Sequence, residues 1–230
     1  MTVEMTRLTN ESTECRVARE ELRLAEIDLM RQRERVAELR RRMPPGTVVE
    51  DYVFDEGPAD LAAGDEPVRQ VRLSELFSGP DRSLIVYHFM YGKAQHSPCP
   101  MCTMWIDGFN AVVDHVAQNA DFVVVAAAGL PALRFHARAR GWTRLRLLSA
   151  GTGTFKYDLA SEDEAGAQDS TISVFTRAAD GTVRHFYTSH PWMSDEIRER
   201  GVDLYNPVWH LLDLTPAGRG EWYPELHYKP

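Results

Sequence analysis

The stretch from Leu84 to Val116 constrains the fold of this chain more than any other. It opens on an unbroken apolar run, Leu84 Ile85 Val86 Tyr87 His88 Phe89 Met90 Tyr91. A polar loop then leads to Cys99 Pro100 Met101 Cys102, and apolar residues follow at helical spacing. The pattern predicts a buried strand, a loop, and a helix that begins at the two thiols, with Pro100 suited to its first turn. A helix N-terminus carries unpaired backbone N–H groups and the positive end of the macrodipole, so it favours a thiolate over a thiol. Cys99 is therefore expected to be the reactive sulfur, its pKa lowered from about 8.5 into the range of roughly 3.5 to 7.5. Cys102, one turn on, is placed to resolve a mixed disulfide. Cys15 is far away in sequence and reads as a bystander.

The residues before this stretch divide in two. From Thr13 to Met43 there is no Gly or Pro, and Ala18, Leu22, Ala25, Leu29, Val36, Leu39 and Met43 recur at alternating four- and three-residue steps, with Gln32 filling one step. That spacing predicts one long helix with an apolar stripe, stopped by Pro44 Pro45 Gly46. Its arginines are interleaved with Glu20, Glu21, Glu26, Glu34 and Glu38, which describes a solvated face and not a basic arm for nucleic acid. The stripe suits packing on the same chain or a homodimer. Residues 1–46 are thus expected to form a helical extension and residues 47–230 the main domain.

Within the main domain, Val48 to Phe54 reads as a strand, Asp55 to Glu66 as a loop, and Val68 to Phe77 as a short strand running into one helical turn. After the cysteine helix, whose core face is Trp105, Ile106, Phe109, Val112, Val113 and Val116, come a strand over Phe122–Ala128, a helix over Pro131–Arg140 ended by Gly141, and a strand over Leu145–Leu148. Strands alternating with helices imply a parallel core. Ser149 to Glu164 reads as irregular, and its Gly151 Thr152 Gly153 lacks the further glycine and the Lys-Ser/Thr of a phosphate loop. Ala179 Asp180 Gly181 joins Thr171–Phe175 to Thr182–Tyr187 as a β-hairpin that extends the sheet antiparallel. A last helix starts at Pro207, and Trp222, Tyr223 and Tyr228 suggest that the C-terminal segment docks on the body.

Composition narrows the function classes. A net charge of -8 argues against a nucleic-acid partner, because phosphate binding needs a concentrated basic surface. No segment approaches the roughly 20 apolar residues of a membrane span, and Met1 to Glu14 has no apolar leader, so a cytoplasmic location is expected. In a reducing compartment two cysteines at this spacing indicate redox or metal chemistry, not a structural disulfide framework. Lysine occurs only at Lys93, Lys156 and Lys229 amid abundant arginine, a bias attributed to a GC-rich genome.

Two chemistries compete for the cysteine pair. In the first, Cys99 attacks a disulfide and Cys102 resolves it, which needs no cofactor. In the second, His96, Cys99 and Cys102 form a His-x-x-Cys-x-x-Cys set suited to copper or zinc, with His88 or His190 completing it. A third reading keeps the scaffold for non-catalytic binding or assembly. His115 lies on the polar side of the helix and reads as surface.

The same residues carry a resemblance that spans most of the chain. The arginine- and glutamate-rich helix ending Arg41 Arg42 Met43 Pro44 is followed by Tyr52 Val53 Phe54, Leu73 Ser74 Glu75 Leu76 Phe77, Tyr87 His88 Phe89 Met90, Cys99 Pro100 Met101 Cys102, Gly141 Trp142, Ser173 Val174 Phe175 and Leu211 Leu212 Asp213 Leu214 Thr215 Pro216. In this the chain resembles the bacterial thioredoxin-like family known as DUF899, a domain of unknown function. The resemblance implies an α/β fold, a thioredoxin-like mixed sheet flanked by helices with a long N-terminal helix, while Cys99 and Cys102 as the catalytic pair of a thiol-disulfide oxidoreductase, acting on an unidentified thiol or disulfide substrate, rest on their own placement at the helix start. The chain departs from thioredoxins at Gln168 Asp169 Ser170, where those proteins carry a cis-proline. It departs from peroxiredoxin-like relatives at His96, where they carry Thr or Ser. The substrate groove is expected between Lys93–Pro98, Ser149–Phe155 and Gln168–Ser170.

Overall fold

The Gly- and Pro-free segment folds as helix α1 (Thr13–Arg41). The side chain of Ser12 caps it by accepting the Cys15 N–H at 3.1 Å, and Glu14 in the first turn and Arg40 and Arg41 in the last complement the macrodipole. Arginine–carboxylate pairs one turn apart, Arg23–Glu20, Arg31–Asp28 and Arg42–Glu38, line its surface. The protein, described here by a computed structural model over residues 9–196 and 201–228, divides into two units, Met1–Pro44 and Pro45–Pro230. Residues 1–8, on which the leader reading partly rests, and Lys229 lie outside the described residues.

The second unit contains strands β1 (Thr47–Val48), β2 (Val53–Glu56), β3 (Arg69–Arg72), β4 (Leu84–Phe89), β5 (Asp121–Ala126), β6 (Arg146–Ser149), β7 (Ile172–Arg177) and β8 (Val183–Ser189). Helix α2 (Pro100–Val116) joins β4 to β5 and helix α3 (Leu130–Arg140) joins β5 to β6. Helices α4 (Phe155–Asp158) and α5 (Pro207–Leu212) are short. All eight strands form one sheet in the order β1-β8-β7-β4-β5-β6-β2-β3, with β4, β5 and β6 parallel and β7 antiparallel to β4. This is a mixed sheet flanked by helices, and β4, which leads to the cysteines, runs through its middle.

The sheet is curled, as chain length requires. β1 and β2 are six strand positions apart, about 29 Å in a flat sheet at roughly 4.8 Å per strand. The five residues from Val48 to Val53 reach about 18 Å at most. Curling separates two cores. Leu84 and Val86 of β4 face inward with Phe54, Val125, Phe155 and Phe175. Tyr87 and Phe89 face the helices with Trp105, Ile106, Leu133 and Trp142. Fully buried side chains such as Phe89, Ile106 and Leu133 contribute about 1.5–3 kcal/mol each relative to exposure.

Several expectations are corrected. Val48–Phe54 is not one strand: β1 pairs with β8 and β2 with β3, and Glu50–Asp51 between them bridges the curl. Val112 is 48% exposed, because the rotation of about 100° per residue carries it off the core face held by Phe109 and Val113. The stretch 149–164 is not wholly irregular, since α4 lies within it. The hairpin of β7 and β8 forms with Gly181 at φ +88°, a conformation that glycine adopts without strain.

Candidate functional site

Cys99 is the N-cap residue of α2, with extended backbone (φ -64°, ψ 126°) and Pro100 opening the first turn. Its own N–H donates to Met90 O at 3.1 Å, which ties the loop back to the end of β4. Its Sγ accepts the Cys102 N–H at 3.4 Å, so the sulfur takes the place that a serine or aspartate oxygen takes at ordinary caps. Thr103 locks the turn, its N–H and its Oγ1 both donating to Cys99 O at 2.9 Å. The same hydroxyl lies 3.0 Å from His136 Nε2.

The two thiols, both free, are unequal. Cys99 is 7% exposed and Cys102 is fully buried. Hydrogen bonding from the Cys102 thiol, aided by the Cys102 and Met101 N–H groups and the Tyr223 side chain, outweighs burial and lowers the Cys99 pKa to about 6. Burial, followed by the neighbouring Cys99, pushes Cys102 well above the ordinary thiol value, against the nearby Tyr87 hydroxyl and Met90 N–H, which pull it down. Burial, then Cys102, raises the Tyr87 hydroxyl as well; it lies beside that thiol but makes no hydrogen bond of ordinary geometry.

Cys99 is less open than a helix mouth suggests, because the C-terminal segment lies over it through Tyr223. Arg140 of α3 anchors that segment by donating to Leu226 O at 3.1 Å and to Tyr228 Oη at 3.0 Å, and Trp222 packs edge-on against Trp209 at 5.4 Å. A cavity of about 350 Å³ remains between the segment and α2, lined by Pro100, Thr103, Met104, Trp222, Tyr223 and Tyr228. Two of the three expected groove segments touch, Lys93 Nζ donating to Gly153 O at 3.2 Å; Lys93 also pairs with Glu162 and Ala94 N–H donates to Gly166 O at 3.3 Å, both outside the expected Gln168–Ser170 segment.

The four-residue metal set is not assembled. Residues alternate faces along β4, so His88 points away from the cysteines, stacking on Phe155 at 5.2 Å with Nε2 2.9 Å from Ser173 Oγ. Burial there drives its pKa well below 6.5, which keeps the ring neutral. His96 is exposed in the loop. Among the described residues no three His, Cys, Asp or Glu side chains are placed to share an ion.

Sequence reasoning missed Lys156. It lies in α4 at 1% exposure, its Nζ donating to Phe89 O at 2.8 Å. Burial lowers its pKa to about 7, against the pull of Cys102, Glu162 and Asp169. The scarcity of lysine was the available signal, since a lysine can lose its charge when buried and an arginine cannot.

A family model described as a bacterial protein of unknown function, DUF899, matches residues 5–229. The chain belongs to that family. Among solved structures, the DUF899 chain is similar to reduced 2-Cys peroxiredoxin of Plasmodium vivax, at 10% identity and a TM-score of 0.48, over 71% of this chain and 93% of that one. It is similar to Mycobacterium bovis AhpC at 13% identity and a TM-score of 0.48, over 79% and 98% of the two chains. Enterococcus faecalis AhpC is a third, at 13% identity and a TM-score of 0.48, over 70% and 87%. No curated protein sequence matches the DUF899 chain. Among its described residues no helix is long and apolar enough to cross a membrane.

Proposed function

We propose that this protein is a thiol-disulfide oxidoreductase in which Cys99 attacks a disulfide and Cys102 resolves the mixed disulfide. The observation that carries this reading is the asymmetry of the pair: one sulfur capping a helix and ionised near neutrality, the other buried, protonated and within hydrogen-bonding reach of the first. A thiolate attacks and a thiol waits, so the order of the two steps follows from their environments. In the first step the Cys99 thiolate displaces one thiolate of the substrate disulfide. In the second, Cys102 gives up its proton and attacks Cys99 Sγ. The second substrate thiolate leaves with a proton, and the protein holds a Cys99–Cys102 disulfide that an external thiol must reduce.

The test uses single substitutions and a small aromatic disulfide as substrate. Cys99→Ser should abolish the reaction, and Cys102→Ser should accumulate a mixed disulfide at Cys99 visible by intact-protein mass spectrometry. Full turnover by both variants would remove dithiol exchange as the activity.

A further inference from the structure

Helix α1 runs for 29 residues and buries none of them. Helices in proteins owe most of their stability to packing of an apolar face, so its stripe calls for a cover. The stripe has heptad form. Leu22, Leu29, Val36 and Met43 take one core position, a, and Ala18, Ala25, Gln32 and Leu39 take the other, d. Seven of these eight residues are exposed, and Val36 is half-buried.

Size and charge specify what covers the stripe. When two such helices run antiparallel, each a residue of one faces a d residue of the other. In the register that sets Leu22 against Leu39 of a second copy, Met43 lies over Ala18, Val36 over Ala25 and Leu29 beside Gln32. Large residues meet small ones at both ends. The polar Gln32 falls next to the two-fold axis, where a single polar core residue fixes register. Beside the seam, Glu21 then faces Arg42, Asp28 faces Arg35 and Glu26 faces Arg33, each pairing occurring twice by symmetry. The like-charged pairing, Arg19 with Arg40, is offset by Glu11, whose carboxylate accepts from Arg19 at 2.5 Å. A parallel pair in register sets Glu14 against Arg19 and Asp28 against Arg33, but also Glu21 against Glu26 and Arg35 against Arg40, so attraction and repulsion cancel. The pairs Arg31–Asp28 and Arg42–Glu38 within the helix are half exposed or more, and weak enough to exchange.

We propose that α1 is an interface between two copies of this chain, an antiparallel coiled coil in the register that joins Leu22 to Leu39. Cys15, exposed and free, holds the a position one heptad before Leu22. A parallel pair would set the two Cys15 thiols face to face. The antiparallel pair keeps them at opposite ends, about 45 Å apart at roughly 1.5 Å per residue.

The test uses the full chain. Sedimentation equilibrium should give twice the 26.1 kDa of one chain at about 100 µM, and a monomer or any larger assembly would overturn the interface. Arg35→Glu sets a carboxylate against Asp28 of the second copy at two places and should weaken the dimer about tenfold, whereas in a parallel pair it would relieve the clash with Arg40 and tighten it. Adding Asp28→Arg should restore the parent affinity. Both positions are exposed, so neither substitution removes a core side chain. Mild oxidation of the parent should give no Cys15–Cys15 disulfide. Leu22→Cys with Leu39→Cys in a Cys15→Ser background should give a disulfide from position 22 of one copy to position 39 of the other, read by peptide mass spectrometry. A Cys15 disulfide between copies, a tighter Arg35→Glu dimer, or links from 22 to 22 would overturn the antiparallel arrangement.

Discussion

Replacing Cys102 should move the titration of Cys99, and the size of the move follows from what holds the Cys99 thiolate. The largest contribution is the hydrogen bond from the Cys102 thiol; the N–H groups of Cys102 and Met101 and the Tyr223 side chain remain when that thiol is removed. A hydrogen bond to a charged group contributes about 1.5–3 kcal/mol, or roughly one to two pH units at about 1.4 kcal/mol per unit. Cys102→Ala should therefore raise the Cys99 midpoint from about 6 to about 7–8. At pH 7 the thiolate fraction would fall from about nine-tenths to between about one-half and one-tenth, with a loss of roughly two- to tenfold in alkylation rate. Cys102→Ser keeps a donor and should stay near the parent value. The assay is the pH dependence of iodoacetamide alkylation in a Cys15→Ser background, since Cys15 is exposed, with the modified residue assigned by peptide mass spectrometry. An alanine variant that still titrates near 6 would show that helix and backbone alone hold the thiolate. A parent midpoint near 8.5 would refute the asymmetry itself.

Other expectations concern stability. Burial, with Arg140 nearby, lowers the His136 pKa to about 4. The unfolded chain then binds a proton near pH 6.5 that the folded chain refuses until about 4, so stability should fall as pH drops through that window. Denaturant titrations of His136→Gln should lack this slope, and an unchanged slope would refute the assignment. For Glu56, burial raises the pKa but the hydrogen bonds and charges of Arg146 and Arg69 outweigh it, leaving a net depression. Its contribution is present above about 4.5 and lost as pH falls through the lower folded value, so Glu56→Gln should be less stable at neutrality and show a shallower acid transition by circular dichroism. Gly92, at φ +105°, lies where a Cβ would meet Ala128 N at 2.1 Å and Ala127 C at 2.3 Å. Gly92→Ala should cost on the order of 3 kcal/mol in chemical denaturation, and a loss below about 1 kcal/mol would show that the two backbones separate freely.

The parts of the fold legible in the sequence were those written in local periodicity. The apolar run of β4, the thiols at the mouth of α2, Gly141 at the left-handed end of α3 (φ +71°) and the Asp180-Gly181 turn each announce their conformation within a few residues. The split of Val48–Phe54 could not be read this way, because only the curl of the whole sheet sends its two ends to different partners. Lys156 was hidden for the same reason: a four-residue helix has too little periodicity to announce itself, and the carbonyl that Lys156 serves is far away in sequence. Tyr223 carries no local pattern, and only docking of the C-terminal segment by Arg140 places it over the sulfur.

The tie between the two ends of the sheet bears on how the protein is made. β1 leaves the ribosome ahead of every other strand, yet its partner β8 is the last strand to emerge. Until then the backbone groups of Thr47 and Val48 await their ladder, and the short span to β2 keeps that waiting edge close to the nascent hairpin of β2 and β3. Pairing of such sequence-distant strands is slow, so the cysteine pair should be synthesised, and exposed to oxidants, well before the last clasp of the sheet shuts.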